Sequence, residues 1–280
     1  MKVLINKIIK FSSVDGPGNR MAIFFQGCNI HCKYCHNPET INICNNCGIC
    51  VKECPVGALS LSNEKVVWHW EKCINCDKCI KICPNFSSPK VKEYSPEKLF
   101  EEIKKVKSFI RGITFSGGEC SLNHKFITEL SRLVKEELPK LTVFVDTNGY
   151  IDFQKEEYRD FVEEVDAFML DIKAFDENEH IELTGKSNKN ILSNLDFLLK
   201  KGKIYELRTV IVPKVLDNER TVREVSSIIS NTNVIYKLIK YRSIGVRNEE
   251  IKNISSPSDE YMNSLKELVL KNNIKEVIII

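Results

Sequence analysis

The layout of the cysteines constrains this chain more than any other feature. Eleven of its twelve cysteines fall into three short runs. The first is Cys28, Cys32 and Cys35, spaced CxxxCxxC within QGCNIHCKYCHN. The second is Cys44, Cys47, Cys50 and Cys54, followed by Pro55, and the third is Cys73, Cys76, Cys79 and Cys83, followed by Pro84. The second and third runs share the spacing CxxCxxCxxxCP, so they form an internal repeat. The opening stretch MKVLINKIIKFSS is too short and too charged for an export signal. The expected compartment is therefore the cytoplasm, where thiols stay reduced and clustered cysteines are metal ligands rather than disulfides. No stretch approaches the roughly 18 apolar residues of a membrane span. A net charge of +3, with Lys and Glu scattered rather than blocked, gives no reason to expect nucleic acid.

A [4Fe–4S] cube takes four cysteine thiolates, and CxxCxxCxxxCP is the bacterial ferredoxin spacing, in which the fourth Cys of each run serves the other cluster. That rule assigns Cys44, Cys47, Cys50 and Cys83 to one cube and Cys73, Cys76, Cys79 and Cys54 to a second. A pair of zinc ribbons is the alternative; the tight third Cys and the trailing Pro disfavour it. The first run offers only three thiolates and so leaves one iron open. An open position marks a catalytic rather than a structural metal centre, by the logic known from zinc. The competing reading is a zinc knuckle completed by His31 or His36. Cys120, outside the runs, reads as a small buried residue.

Residues 2 to 9 read as an edge strand, and MAIFFQ (21 to 26) as a buried strand just before the three-cysteine loop. The repeat fills residues 40 to 92, a module inserted into a fold made of residues 1 to 39 and 93 to 280. Ser95-Pro96 then starts a helix as N-cap and first-turn proline, with Leu99, Ile103, Val106 and Ile110 at helical spacing. A βα alternation follows: strands at 112 to 116, 142 to 146, 167 to 172, 205 to 212 and 234 to 241. The expected helices are 124 to 138, 153 to 165, 189 to 201 (ending at Gly202), 218 to 230 and 259 to 271. EVIII closes the chain as a short strand. Alternation of this kind predicts a parallel sheet with outer helices. Six units are too few for the eight of a closed TIM barrel, so the expected fold is α/β: an open (β/α)6 partial barrel with an inserted dicluster ferredoxin-like module.

Such folds place their chemistry at the carboxyl ends of the strands. Those ends carry, in order, the three-cysteine loop, Ser116-Gly117-Gly118-Glu119, Asp146-Thr147-Asn148-Gly149, Asp171-Ile172-Lys173, Arg208 within its strand, and Tyr241-Arg242-Ser243. The strand bodies between are apolar. Each of these alone is an ordinary turn or cap; in register on one rim they predict one site.

Taken together, CxxxCxxC with Tyr34 before its last Cys, and GGE after the next strand, resemble the radical S-adenosylmethionine (SAM) enzymes. VDGPGNR, FFQGCNIHCKYCHN, SGGE, DTNG, MLDIK and LTGKSN narrow the resemblance to the glycyl radical enzyme activating enzymes. The two-cluster insert resembles the activases with auxiliary clusters, the YjjW type most closely; the simpler activase of pyruvate formate-lyase lacks it.

The resemblance implies a radical SAM oxidoreductase. A [4Fe–4S] cluster on Cys28, Cys32 and Cys35 would reductively cleave SAM to a 5′-deoxyadenosyl radical, which takes a hydrogen atom from a backbone glycine of a partner glycyl radical enzyme. It further implies adenine contacts at Tyr34 and His36 and close backbone approach at Gly117 and Gly118. Glu119 would accept from the SAM amino group, Lys173, Arg208 or Arg242 would meet its carboxylate, Asp171 would accept from the ribose hydroxyls, and Ile172 would be a further cofactor-binding residue. A monovalent cation would sit on Asp146, Thr147, Met169 and Asp171. Flavodoxin or ferredoxin would donate electrons through the auxiliary clusters, whose alternative role is purely structural. Asp15 and Arg20 of the DGPG loop are candidates for the mouth where the partner's glycine enters. Two other readings stay open at this stage: a radical SAM enzyme acting on a small molecule or peptide, and a dicluster electron carrier.

Overall fold

The computed structural model describes residues 1–280. Two strands open the chain, β1 (Val3–Ser12) and β2 (Arg20–Phe25). The cysteine repeat follows, with helix α1 (Ile49–Lys52), hairpin β3 (Leu59–Ser62) and β4 (Lys65–Trp68), and helix α2 (Lys78–Lys81). β5 (Lys92–Tyr94) and α3 (Pro96–Lys104) lead into the βα series. That series runs β6 (Gly112–Gly117), α4 (His124–Glu137), β7 (Thr142–Thr147), α5 (Arg159–Glu164), β8 (Ala167–Asp171), α6 (Glu177–Thr184), α7 (Lys189–Lys200), β9 (Ile204–Ile211), α8 (Asn218–Ile228), β10 (Ile235–Lys240), α9 (Glu249–Lys252), α10 (Asp259–Leu270) and β11 (Val277–Ile279).

Nine strands form one sheet in the order β11-β10-β9-β8-β7-β6-β2-β1-β5. Every pair from β2 to β11 is parallel. β1 runs antiparallel to β2, and β5 antiparallel to β1. The first strand is thus longer than its apolar stretch and is not the edge, because β5 covers it. The sheet remains open, as the count of βα units requires, and β11 adds a short seventh parallel strand. Its apolar outer face packs under the helices in a core of 43 buried residues.

Local chemistry explains the helices. Ser95 caps α3, its side chain accepting from the Lys98 N–H, with Pro96 in the first turn. Leu99, Phe100 and Ile103 are buried on one face. The expected continuation to Ile110 breaks into a 3-10 turn at Lys107–Phe109, though Val106 and Ile110 stay buried. The helix expected from Phe153 begins only at Arg159, because the Phe153 N–H donates to Asn194 Oδ1 on α7 at 3.0 Å instead. α6 is an addition that the apolar pattern does not announce. Asp176 caps it, accepting from Asn178 and Glu179 N–H groups, and Gly185 ends it in a left-handed conformation.

Candidate active site

The loop after β2 is pinned from both sides. Gly27 and Cys28 N–H groups donate to the Thr40 and Ile41 carbonyls, both at 2.8 Å. His31 and Lys33 N–H groups donate to Thr184 and Leu183 at the end of α6, at 3.1 and 2.9 Å. α6 therefore supports the cysteine loop. Between these anchors Cys28, Cys32 and Cys35 border a cavity of about 300 Å³ at the carboxyl rim of the sheet. Gly117, Gly118, Asp171, Lys173 and Arg208 border it too, with Tyr34, His36 and Asp15. Residues from six separate strand ends thus converge on one cavity.

Burial pushes all three thiols up: Cys28 and Cys32 to about 12, Cys35 to about 11. The Glu119 carboxylate adds to the effect at Cys28, while Lys173 opposes it at Cys32. Such thiols become thiolates only against a strong Lewis acid, which is the chemistry of a metal-cluster ligand. No three His, Cys, Asp or Glu side chains converge on a single-ion site, whereas a cube takes its thiolates at separate iron corners. The buried Tyr34 hydroxyl has no hydrogen-bond partner. Lys173 lies 5.7 Å from the centre of the Tyr34 ring and pairs with Asp171 at 2.8 Å. The His36 Nε2–H donates to the Arg242 carbonyl at 2.8 Å, and its ring stacks on Tyr241. A donor set of three half-buried cysteines, an orphan hydroxyl and paired charges fits a cluster with a zwitterionic ligand beside it.

Several expectations need correction in detail. Glu119 is buried and does not border the cavity. Its carboxylate accepts from Ser121 N–H (2.9 Å), Thr147 Oγ1 (2.7 Å) and Asn148 N–H (2.8 Å), so it ties the β6 loop to the β7 loop. The glycines before it serve backbone packing. A Cβ on Gly118 would stand 2.7 Å from the Thr40 carbonyl oxygen and closer still to that of Gly27, and Gly117 has φ +118° with Phe25 backbone against it. Arg242 is exposed, and its backbone rather than its guanidinium serves the site. Ile172 is buried outside the cavity, with its N–H and C=O engaged by Arg208 O and Thr209 Oγ1.

Each of the four residues expected to hold a monovalent cation meets a protein group. The Arg208 guanidinium pairs with Asp146 at 2.9 Å and touches Met169 Sδ at 3.1 Å. Thr147 is committed to Glu119 and Asp171 to Lys173. Burial pushes Asp146 up to about 6 against the pull of Arg208. Arg20 is fully buried below the cavity, not at its mouth. It donates to Thr114 Oγ1, Thr142 Oγ1 and the Ile113 and Thr142 carbonyls, and lies over the Phe144 ring. Asp15 does border the cavity. Cys120 is buried, its thiol donating to the Phe115 and Asp146 carbonyls.

Asn148 stands on the rim beside the three-cysteine loop. Its Nδ2 donates to Asn29 Oδ1 at 2.9 Å and lies 3.8 Å from Cys28 Sγ. Val210 and Ile239 also border the cavity; strand alternation from Arg208 and Lys237 would have found both.

In the repeat, Cys54, Cys73, Cys76 and Cys79 border one small apolar cavity walled by Trp68. Burial pushes the Cys50 thiol up to about 11, with neighbouring Cys79, Cys44 and Cys83 adding to it. Arg247, from the loop after β10, reaches across to the Ile80 and Cys83 carbonyls and the Phe86 ring.

Comparison with known proteins agrees with this geometry. The sequence family described as "Radical SAM superfamily" matches residues 22–225. The chain is 32% identical to the trans-4-hydroxy-L-proline dehydratase activating enzyme of Clostridioides difficile, over 98% of each chain. It is 34% identical to the choline trimethylamine-lyase activating enzyme of Oleidesulfovibrio alaskensis, over 79% of this chain and 76% of that one. The structure of QueE from Escherichia coli shares the fold, with a TM-score of 0.55 at 12% identity, over 100% of this chain and 94% of that one. No helix is long and apolar enough to cross a membrane. The chain belongs to the radical SAM superfamily and, within it, to the glycyl-radical enzyme activating enzymes.

Proposed function

We propose that this chain installs a glycyl radical on a partner enzyme, working from SAM bound in the rim cavity beside a [4Fe–4S] cluster on Cys28, Cys32 and Cys35. The observation that carries the reading is the convergence of those three thiols with Gly117, Gly118, Asp171, Lys173 and Arg208 on one cavity. When bound, the cluster supplies the electron that starts SAM cleavage, and the hydrogen atom removed belongs to a backbone glycine of the partner. The chain's own residues bind and orient. Lys173 and Arg208 present cationic groups to the SAM carboxylate, and Asp171 faces the ribose. Tyr34 and His36 flank the adenine side. The β6 loop, held by Glu119, closes one wall.

The repeat, residues 40 to 92, reads as an inserted module with two further [4Fe–4S] clusters, as in the YjjW-type activases. Support comes from the cavity that Cys54 shares with Cys73, Cys76 and Cys79, the four residues that the crossed ligation of a two-cluster ferredoxin would use for one cube. The module lies against the catalytic loop: Gln26 Nε2 donates to the Glu39 and Asn42 carbonyls, and Arg247 ties the rim to Cys83. That proximity favours relay of electrons from a flavodoxin or ferredoxin over a purely structural insert. Anaerobic reconstitution tests both levels. About twelve irons per chain are expected from three cubes, and dithionite with SAM should yield 5′-deoxyadenosine that disappears in Cys32→Ala. Four irons per chain, with full SAM cleavage, would remove the auxiliary clusters from the account.

A further inference from the structure

The inner faces of β9 and β10 carry three charged residues, of which the rim chemistry uses only Arg208. Lys237 stands directly opposite Arg208 in the β9–β10 register, and both are buried. Two buried cations in opposed positions repel. The group that both reach is Glu206, 2% exposed and two residues before Arg208 on the same face of β9. Its Oε1 accepts from Arg208 Nε at 2.5 Å, and its Oε2 from Lys237 Nζ at 2.7 Å. Arg208 borders the cavity; Glu206 and Lys237 do not.

An isolated Arg–carboxylate pair prefers the two-pronged geometry in which Nε and a terminal nitrogen both bind. Here the second oxygen is taken by Lys237. Glu206 therefore grips Arg208 by Nε alone, and both terminal nitrogens are left to the cavity side, where they now meet Asp146 and Met169. We propose that Lys237 and Glu206 are positioning residues: Lys237 blocks the forked Glu206–Arg208 pair and so keeps the terminal nitrogens of Arg208 directed at the cavity, where the SAM carboxylate would take over from Asp146 and Met169. The inference rests on the reading of Arg208 as a carboxylate partner.

Lys237→Met frees Glu206 Oε2, and the fork then draws the guanidinium down the strand. Lys237→Gln keeps a donor at that oxygen without the charge. The double variant Glu206→Gln/Lys237→Met removes both charges together and leaves none stranded. The assay is equilibrium binding of SAM and of decarboxylated SAM to anaerobically reconstituted protein. Loss of one hydrogen-bonded charge contact predicts about tenfold weaker SAM binding for Lys237→Met. Binding of decarboxylated SAM should be unchanged, and Lys237→Gln should restore most of the SAM affinity. Arg208→Gln is the control for the underlying reading and should abolish the preference for SAM over its decarboxylated form. If Arg208→Gln keeps that preference, the carboxylate role of Arg208 falls. If Arg208→Gln loses it while Lys237→Met binds SAM normally, the positioning role falls and the carboxylate role stands. If Lys237→Met fails to fold, the double variant decides by the same two ligands: a preference equal to that of the unmodified protein overturns the proposal, and a reduced one supports it.

Discussion

Gly118→Ala tests what the SGGE glycines are for. A Cβ there would lie 2.7 Å from the Thr40 carbonyl oxygen, whereas ordinary contact begins at 3.4 Å, and the overlap with the Gly27 carbonyl is larger. Relief needs the β6 loop to move about 0.7 Å from Thr40 and farther from Gly27, beside Cys28, and backbone resists such a shift. The move also stretches the Glu119 N–H to Gly27 O bond, now 2.8 Å. Overpacking of this kind costs about 1–3 kcal/mol and a weakened hydrogen bond about 1 more, so the expected loss is roughly 2–4 kcal/mol. With a urea slope of about 3 kcal/mol/M, the unfolding midpoint should drop by about 1 M. The measurement is urea unfolding of the variant, paired with SAM binding by the reconstituted protein. Both should weaken, because the same loop packs the core and walls the cavity. An unchanged midpoint with weakened SAM binding would refute the packing argument and return the glycine to a purely ligand-facing role.

Other outcomes follow from the same geometry. Arg20→Met removes the donor to two threonine hydroxyls and two carbonyls below the cavity; the stranded acceptors should cost about 3 kcal/mol or more, read by thermal or urea unfolding. Asn148→Leu deletes the amide donor nearest Cys28 Sγ; the catalytic cluster's potential should fall, by on the order of 50 mV, in a redox titration followed by electron paramagnetic resonance. Burial pushes the Cys28 and Cys32 thiols up to about 12 and Cys35 to about 11, so protons compete with iron for all three at neutral pH. Lowering the pH strengthens the competitor, and chelator bleaching of the catalytic cluster should run faster at pH 6 than at pH 8.

Much of this molecule is legible in its cysteines and strand ends. The three-cysteine loop, the repeat and the rim residues are local patterns whose chemistry does not depend on distant partners, and the sheet places them as strand alternation requires. What escaped is what depends on a partner far along the chain. α6 carries little apolar periodicity, yet its last carbonyls hold His31 and Lys33 in place. Glu119 looks like a ligand in sequence because its three donors come from Ser121, Thr147 and Asn148, the last two beyond a whole helix and strand. The set Asp146, Thr147, Met169 and Asp171 reads as a cation site because its partners lie elsewhere in the chain: Arg208, from β9, on Asp146 and Met169, Glu119 on Thr147, and Lys173 on Asp171. Arg242 faces solvent because its backbone, not its side chain, is anchored by His36. The first strand reads as an edge because three residues, Lys92–Tyr94, are too few to announce the strand that covers it.

The central claim is that this cavity delivers a radical to a protein glycine. The most direct measurement is electron paramagnetic resonance on the anaerobically reconstituted, reduced protein mixed with SAM and a candidate glycyl radical enzyme. The account predicts a glycyl doublet on the partner that requires SAM and is lost in Cys28→Ala. SAM cleavage to 5′-deoxyadenosine without any glycyl doublet, across partners bearing the glycine loop, would contradict it.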